Sequence, residues 1–511
     1  MEVKMKSLNI QYIDKIKYYL LIIFVVIQPI LDIHYLYTEK VVNIIGFSPS
    51  TIIRMVIVSI LALLTFVTLR DKKTWITIIV YLSLILIYSM FHIINAKNFN
   101  TPVPDDLGYS VIGEIFYIIR MLIPLAIIII TMNTSVSRKD YNKAIKIVTS
   151  SISLTIVLSN IFKVSLASYG TGMIKQNIFG WFTGAYDIYK YSDLASRGIF
   201  NSANQISALL VLLLPIMFII YTYQQNIKNL LIIALTLISM VMLGTKVALY
   251  GAIINTIIYF LALMFMTIIR KQKLLSKKIL VVLGISVLII TSLYEVSPVI
   301  NRPSLEENYG NKKETIRIDL LKKYKKNNEY DKVMDFIKNN YKDAKIKDEF
   351  ILQYYPYQYD PEFWIEVFEM PLIKRRDWRL LEFKMHQRVM DINDNKNDKW
   401  LGISFTRSEH LFTLERDFVA QYYSMGVFGV VLLLGPYVLI ILACLIKMLL
   451  QFRNKFNLRN SITSFAIIFI LGASINSGNV MDCLTITIIL GFIMGKLIDE
   501  IFRKQQSDVE N

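Results

Sequence analysis

Cysteine is almost absent from this sequence: Cys444 and Cys483 are the only two in 511 residues. Both fall in apolar stretches, so no disulfide framework is available to the polar parts of the chain, and the two read as small packing groups. Histidine is nearly as scarce. His34, His92, His386 and His410 are mostly far apart in sequence, which argues against a His-rich metal site. No Ser/His/Asp arrangement stands out, and GTK at 244–246 is far too short to be a phosphate loop. Neither a metal nor a cofactor is therefore expected. Acidic residues are also in the minority, 39 against 56 basic, for a formal charge of +17. That excess does not point to nucleic acid. The polar stretch 296–416 holds 23 Lys+Arg and 21 Asp+Glu and is nearly neutral, so the excess sits in short connections elsewhere. A nucleic-acid binder concentrates its cations on one folded face.

What the chain has in abundance is apolar sequence, 54% of all residues, gathered in blocks of roughly twenty. That length spans a bilayer core at about 1.5 Å per residue. The blocks fall at 18–37, 50–69, 74–94, 111–131, 145–164, 203–223, 229–244, 247–269, 279–295, 424–446, 461–475 and 481–497. The seventh is short, which leaves eleven spans as an alternative to twelve. The first is too long for a cleaved signal peptide, and no small-residue cleavage site comes after it. Twelve spans place both termini on one side. If that side is the cytoplasm, 24 basic residues flank the blocks there, against 7 in the short outer segments. This asymmetry sets the orientation. The long loop is left out of the comparison, because long loops translocate largely regardless of charge.

The expected protein is thus an all-α polytopic membrane protein of the cell membrane, with about twelve transmembrane helices and both termini cytoplasmic. Its predicted parts are nine spans within 1–295, including an outer loop at 165–202, then an extracytoplasmic loop at 296–416. Three further spans at 417–498 and a polar tail at 499–511 complete the chain. The large loop carries helical periodicity at 320–343, 361–370 and 378–390.

Charges in or beside apolar blocks need a partner or a job, since a central Arg, Lys or Asp costs about 2.5–3.5 kcal/mol on insertion scales. Asp32, Arg54, Glu114 and Arg120 are such residues; internal pairing and snorkelling account for them most simply. Arg197 is more suggestive. It lies in YSDLASRGIFNSANQ (191–205), beside Gly198, Asn201, Asn204 and Gln205, where a guanidinium can clamp phosphate bidentately. Lys246 opens the eighth block on the same side. Lys374, Arg375, Arg376 and Arg379 form a second basic cluster late in the long loop. Glu415 and Asp417 begin the tenth span, where acids complement a helix N-terminus or accept a proton from a sugar hydroxyl. His410 is another candidate base. The loop aromatics Tyr354, Tyr355, Tyr357, Tyr359, Trp364, Trp378 and Trp400 suit sugar faces, an interfacial belt or a loop core equally.

In this order, these segments resemble the O-antigen ligase/polymerase superfamily, in particular the polysaccharide polymerase-like members of Gram-positive bacteria. QPILD (28–32) looks like the opening helix, SRGIFNSANQISALLVLLLP (196–215) like the Arg-Gly…Asn segment, and LGTKVALYG (243–251) like the family's next segment. RRDWRLL (375–381) with WLGISF (400–405) resembles the loop arginine and its Gly-containing stretch, and LERDFVAQYYSMGVFG (414–429) the acidic segment ending in Gly-x-x-Gly. The resemblance covers nearly the whole chain in layout but only short stretches in motif. It implies glycosyl transfer outside the cytoplasmic membrane from a glycan on undecaprenyl diphosphate, without metal or nucleotide sugar. It also implies a flippase and chain-length regulators as partners. Family arginines that hold the diphosphate map to Arg197 and to Arg376 or Arg379. Where ligases carry a histidine, this chain has Glu415, which favours a polymerase.

On this reading the long loop folds back to bring its arginine and acidic segment over the mouth where Arg197 sits. Catalysis is expected from Glu415, Asp417 and Arg376, and substrate binding from Arg197, Arg379, Lys246 and Asn204. Two competing readings are a twelve-helix transporter or lipid-glycan flippase, and a non-enzymatic scaffold for envelope assembly. Transporters often show related halves, and none are found here.

Overall fold

The structure is a computed structural model that describes residues 2–33, 48–309, 316–412, 414–476 and 478–503. His34, Lys40 and most of the polar tail lie outside the described residues. Among those described there is no β-strand, only two isolated bridges, Leu166–Met173 and Ala167–Ser196.

Among the described residues, each of the twelve apolar blocks is occupied by helix. The chain forms α1 (Glu2–Leu31), α2 (Pro49–Thr68), α3 (Lys72–Lys97), α4 (Val111–Thr134), α5 (Arg138–Ile161), α6 (Ala203–Tyr223), α7 (Ile227–Met242), α8 (Lys246–Ile268) and α9 (Lys277–Tyr294). The polar stretch then gives α10 (Ile318–Lys326), α11 (Tyr330–Asn340), α12 (Pro361–Glu369), α13 (Trp378–Asn393) and α14 (Phe405–His410). Apolar helices resume with α15 (Asp417–Gly429), continued by α16 (Gly435–Leu450), then α17 (Leu458–Asn476) and α18 (Leu484–Phe502). Nine helices among the described residues are long and apolar enough to cross a membrane. The short seventh block is the 16-residue α7. Helices α1 and α18 mix charge into their length, with Asp14, Lys15 and Lys17 in one and Lys496, Asp499 and Glu500 in the other. Many large apolar side chains stay exposed on these helices, such as Leu63, Phe66, Leu86, Leu288 and Leu439. In water such a surface would aggregate; in lipid it is the solvated face.

The chain divides into two compact units. The first comprises Met1–Trp75, Arg120–Arg302 and Pro436–Asn511; the second comprises Ile76–Ile119 and Pro303–Gly435. In the first, α6 is the central element, buried almost from end to end and packed by α8 and α17, while α5 packs with α7 and α1. The charges placed in this apolar unit find one another. Arg54 donates to Asp32 Oδ1 at 2.7 Å and Oδ2 at 3.1 Å, to Gln28 Oε1 at 2.8 Å and to Thr485 Oγ1 at 2.6 Å. The Gln and Asp of QPILD therefore serve α2. Arg120 meets Asp482 at 3.2 Å and its carbonyl at 2.6 Å. Cys444 is buried in α16; Cys483 is buried just before α18 rather than inside a helix.

The second unit has its own core, built from Leu321, Ile337, Phe350, Tyr355, Trp364, Phe368, Leu381 and Met385, with Val103 and Leu107 from the segment after α3. The periodicity at 320–343 predicts one continuous helix. The chain breaks instead at Asn328, which takes a left-handed φ of 56°, so α10 and α11 fold onto the core as a pair. Tyr355, Tyr357 and Trp364 are core residues, whereas Tyr359, Trp378 and Trp400 remain exposed.

Two glycines fix how the late segments cross. Gly402 (φ 82°) and Gly426 (φ 68°) lie where two backbones run against each other, with Ile403 N–H donating to Tyr423 O at 2.8 Å and Ser404 N–H to Ser424 O at 3.0 Å. A Cβ on Gly402 would stand 2.3 Å from Ser424 O, and one on Gly426 2.3 Å from Trp400 C. Both contacts are backbone and cannot yield by a rotamer change. Gly402→Ala and Gly426→Ala should each cost about 3 kcal/mol through φ strain and clash. Thermal unfolding in detergent would read this, with Gly284→Ala, which meets nothing within 4 Å, leaving the midpoint nearly unchanged.

Candidate functional site

In the first unit, Arg197 sits in the connection between α5 and α6. Its backbone is pinned. Arg197 N–H donates to Leu166 O at 3.0 Å, and Leu166 N–H donates to Gly198 O at 2.8 Å. Gly198 takes φ 68° and donates to Ser165 Oγ at 2.8 Å. The side chain is half-buried. One Nη donates to Gly170 O at 3.3 Å, and among the described residues Nε has no partner and no carboxylate pairs with the side chain. Burial without a counter-charge pulls its ionisation below the usual arginine value, yet a guanidinium stays charged throughout the physiological range.

Other cations gather around the same loop. Arg302 stacks over the rings of Tyr169 and Tyr191, at 4.9 and 5.4 Å from their centroids. The Tyr169 hydroxyl donates to Gly244 O at 2.6 Å, two residues before the exposed Lys246 at the start of α8. The beginnings of α6 and α8 are joined by Ser207 Oγ and Thr245 Oγ1 at 2.6 Å. Thr245 caps α8 by accepting from Ala248 N–H, but Ser202 provides no side-chain cap to α6. The first N–H groups of α6 are thus left for another acceptor, and the half-buried Asn204 stands among them with no bond to its side-chain amide among the described residues. Arg197, Arg302, Lys246 and Asn204 border one loop near the positive end of a 21-residue helix, a distribution of charge that would suit an anion. Arg302 was not among the residues singled out from sequence; its signal was its position as the first cation after the ninth span.

The second unit holds the other expected residues. Arg379 donates through Nε at 2.9 Å and Nη2 at 2.6 Å to the same oxygen of Glu415, and both side chains are more than a third exposed. Arg376 donates to Lys345 O at 3.4 Å and lies 5.4 Å from the Trp378 ring, while its neighbour Arg375 is buried against Phe368 O. Asp417 is buried at the first position of α15, and His410 is exposed at the end of α14. Sequence analysis brings Arg197 together with this cluster; the structure places Arg197 in the first unit and Arg376, Arg379, Glu415 and Asp417 in the second.

The anchor of this second cluster is a residue read from sequence only as a charge in need of a partner. Glu114 of α4, fully buried, accepts from the N–H groups of Phe405 and Thr406 at 3.0 and 2.8 Å and from the Thr406 hydroxyl at 2.8 Å. It therefore holds the start of α14, and His92 meets it at 3.0 Å. Arg407, also buried, pairs with Asp106 at 2.5 Å and lies over the Phe99 and Tyr109 rings.

Glu382 and His386 were also overlooked. Glu382 lies one turn beyond Arg379 on α13, buried, with one carboxyl oxygen lacking a partner. Burial, reinforced by the charge of Glu415, pushes its carboxyl up to about 8. Burial pulls the neighbouring His386 down to about 4. Its Nδ1 contacts Glu382 O at 2.8 Å and its Nε2 contacts Ser408 O at 3.2 Å. Only spacing along an α-helix marks these residues in sequence. Among the described residues no group of three or more His, Cys, Asp or Glu is arranged to hold a metal ion.

A family model described as O-antigen ligase like membrane protein matches residues 14–504. No curated protein and no solved structure matches the chain.

The Glu382 proton gives a pH signature. Above the ordinary carboxyl value of 4.5 the unfolded chain has lost this proton while the folded chain keeps it. The stability Glu382 contributes is therefore complete at low pH and is lost as pH rises through about 8. Glu382→Gln should flatten the decline in thermal midpoint across that window, measured by differential scanning fluorimetry of the purified protein.

Proposed function

The chain belongs to the O-antigen ligase like family of membrane proteins, and we propose that within this membrane glycan ligase or polymerase class it polymerises oligosaccharide repeats carried on undecaprenyl diphosphate. The observation that supports this reading most is the set of cations Arg197, Arg302 and Lys246, none paired with a carboxylate among the described residues, beside the uncapped start of α6. In this apolar protein the fully buried Arg54 and Arg407 are each paired with a carboxylate. Arg197, half-buried without one, matches a ligand that brings its own negative charge, as a diphosphate does, with the exposed Arg302 and Lys246 beside the same loop.

In this reading both termini are cytoplasmic and the loop bearing Arg197 faces outward, supported by the 24 basic residues on one side against 7 on the other. A hydroxyl of the acceptor sugar attacks the anomeric carbon of the donor glycan with inversion. The bond from that carbon to the diphosphate oxygen breaks, and undecaprenyl diphosphate leaves with the electron pair. Arg197, Arg302 and Lys246 stabilise the charge that develops on the leaving group. The hydroxyl proton passes to a carboxylate, for which Glu415 is the first candidate and Asp417 the second. In this reading Arg379, which donates to Glu415 through two nitrogens, and Arg376 are the loop arginines that engage the anionic groups of the substrate. The product grows into a capsular, extracellular or wall polysaccharide, with a flippase supplying the substrate and chain-length regulators acting on the polymer.

Arg197→Ala and Arg302→Ala should each slow glycan lengthening by about 10²–10³, the loss seen when one donor to a developing anion is removed, and Glu415→Gln by about 10²–10⁴. The assay is purified full-length protein in detergent with carrier-linked repeats, products resolved by gel. Normal product length from the Arg197→Ala protein would end the assignment. The same assay separates the transporter and scaffold readings, since neither lengthens a glycan without an energy source.

A further inference from the structure

Away from these residues, the first unit holds a recess that the proposed reaction does not use. It lies at the opposite ends of the helices, between the start of α5, the last two turns of α6, the start of α17 and the end of α18, and is a small recess partly open to the outside. Ile216, Ile219, Ile220 and Ile493 wall one part of it, and Arg138, Arg459 and Lys496 line the rest together with one carboxylate, Glu500.

The cations are unequally satisfied. Lys496 is engaged by Val136 O at 2.8 Å, Asp499 at 3.3 Å and Glu500 at 3.8 Å. Arg138 reaches Glu500 through one Nη at 3.2 Å, while its other Nη is buried without a hydrogen-bond partner. Arg459 lies 4.4 Å above the Tyr223 ring, with no carboxylate paired to it among the described residues. Two guanidiniums with spare donors thus stand at the ends of membrane-spanning helices, above isoleucines that are already buried. The occupant such a site fits is an anion presented from the membrane surface. A phosphodiester offers two oxygens to the planar forks of arginine, and a basic pocket between helices at the membrane surface suits an anionic head group.

We infer that this recess binds the head group of an anionic phospholipid at its mouth through Arg138 and Arg459. The site requires the protein to lie in a membrane, but not that it transfers glycans.

Full-length protein in nanodiscs of phosphatidylcholine, with or without phosphatidylglycerol, provides the test. After release from the disc, native mass spectrometry should find phosphatidylglycerol retained in preference to phosphatidylcholine. Each arginine removed should weaken retention roughly five-fold, so the R138Q/R459Q protein should lose most of it, while K72Q, at an exposed lysine elsewhere, should retain as much as the parent. If the double variant does not fold, R459Q alone should show its five-fold loss, because Arg459 breaks no ion pair. Equal retention by the parent and the arginine variants overturns the inference. So does inorganic phosphate raising the melting temperature in phosphatidylcholine discs as much as phosphatidylglycerol does, which would mark a site for free phosphate. Glycan lengthening is scored separately, and its failure would leave a positive lipid result standing.

Discussion

A charge carried into apolar surroundings must be met by another group or it will not stay there. Much of this structure is a consequence of that constraint. Arg54 is met by Asp32, Gln28 and Thr485, Arg120 by Asp482, and Glu114 by His92 and two backbone N–H groups. Each arrangement joins elements distant in sequence, so the cost of desolvating a charge is turned into a geometric requirement on which helices adjoin. Arg197 stands out against this background because it is half-buried and, among the described residues, has no carboxylate beside it.

The second unit depends on the same rule in a different form. Glu114 does not pair with a lysine or arginine; it caps α14 from a separate helix, and so fixes the segment just beyond the Gly402 crossing. Gly402 and Gly426 then allow two backbones to approach more closely than any side chain would permit. The result is a rigid connection between WLGISF and the segment containing Gly426, with Glu415 and Asp417 eleven and nine residues before that glycine. Glycine in these two motifs is therefore a steric necessity, whatever further role the residues beside it have.

The candidate acid–base groups lie on α13 and just before α15. Glu415 is exposed and accepts from Arg379, Glu382 is buried and keeps its proton to about 8, and His386 is buried and neutral down to about 4. One short helix, α13, therefore carries a neutral carboxyl and a neutral imidazole at neutral pH. Environment rather than residue type decides which of them can take or give a proton.

The sequence by itself determined the class of protein. Twelve apolar blocks were legible because a hydrophobic run is a local property. Among the described residues each holds helix, and nine helices are long and apolar enough to cross a membrane, α7 being too short. The pairing of Asp32, Arg54, Glu114 and Arg120 was legible as a need, from the cost of an unmet charge, but the partners Thr485, Asp482 and the N–H groups of Phe405 and Thr406 were not, since they lie hundreds of residues away. Asn328 broke a periodic run into two helices because packing onto a shared core outweighed continuous periodicity. Arg302 was marked in sequence only by its position after the ninth span and Glu382 only by helical spacing, while the arginine recess had no mark at all. Whether a cation has a counter-ion, or a carboxyl its water, depends on what the rest of the chain brings alongside it. Only the tertiary structure decided that.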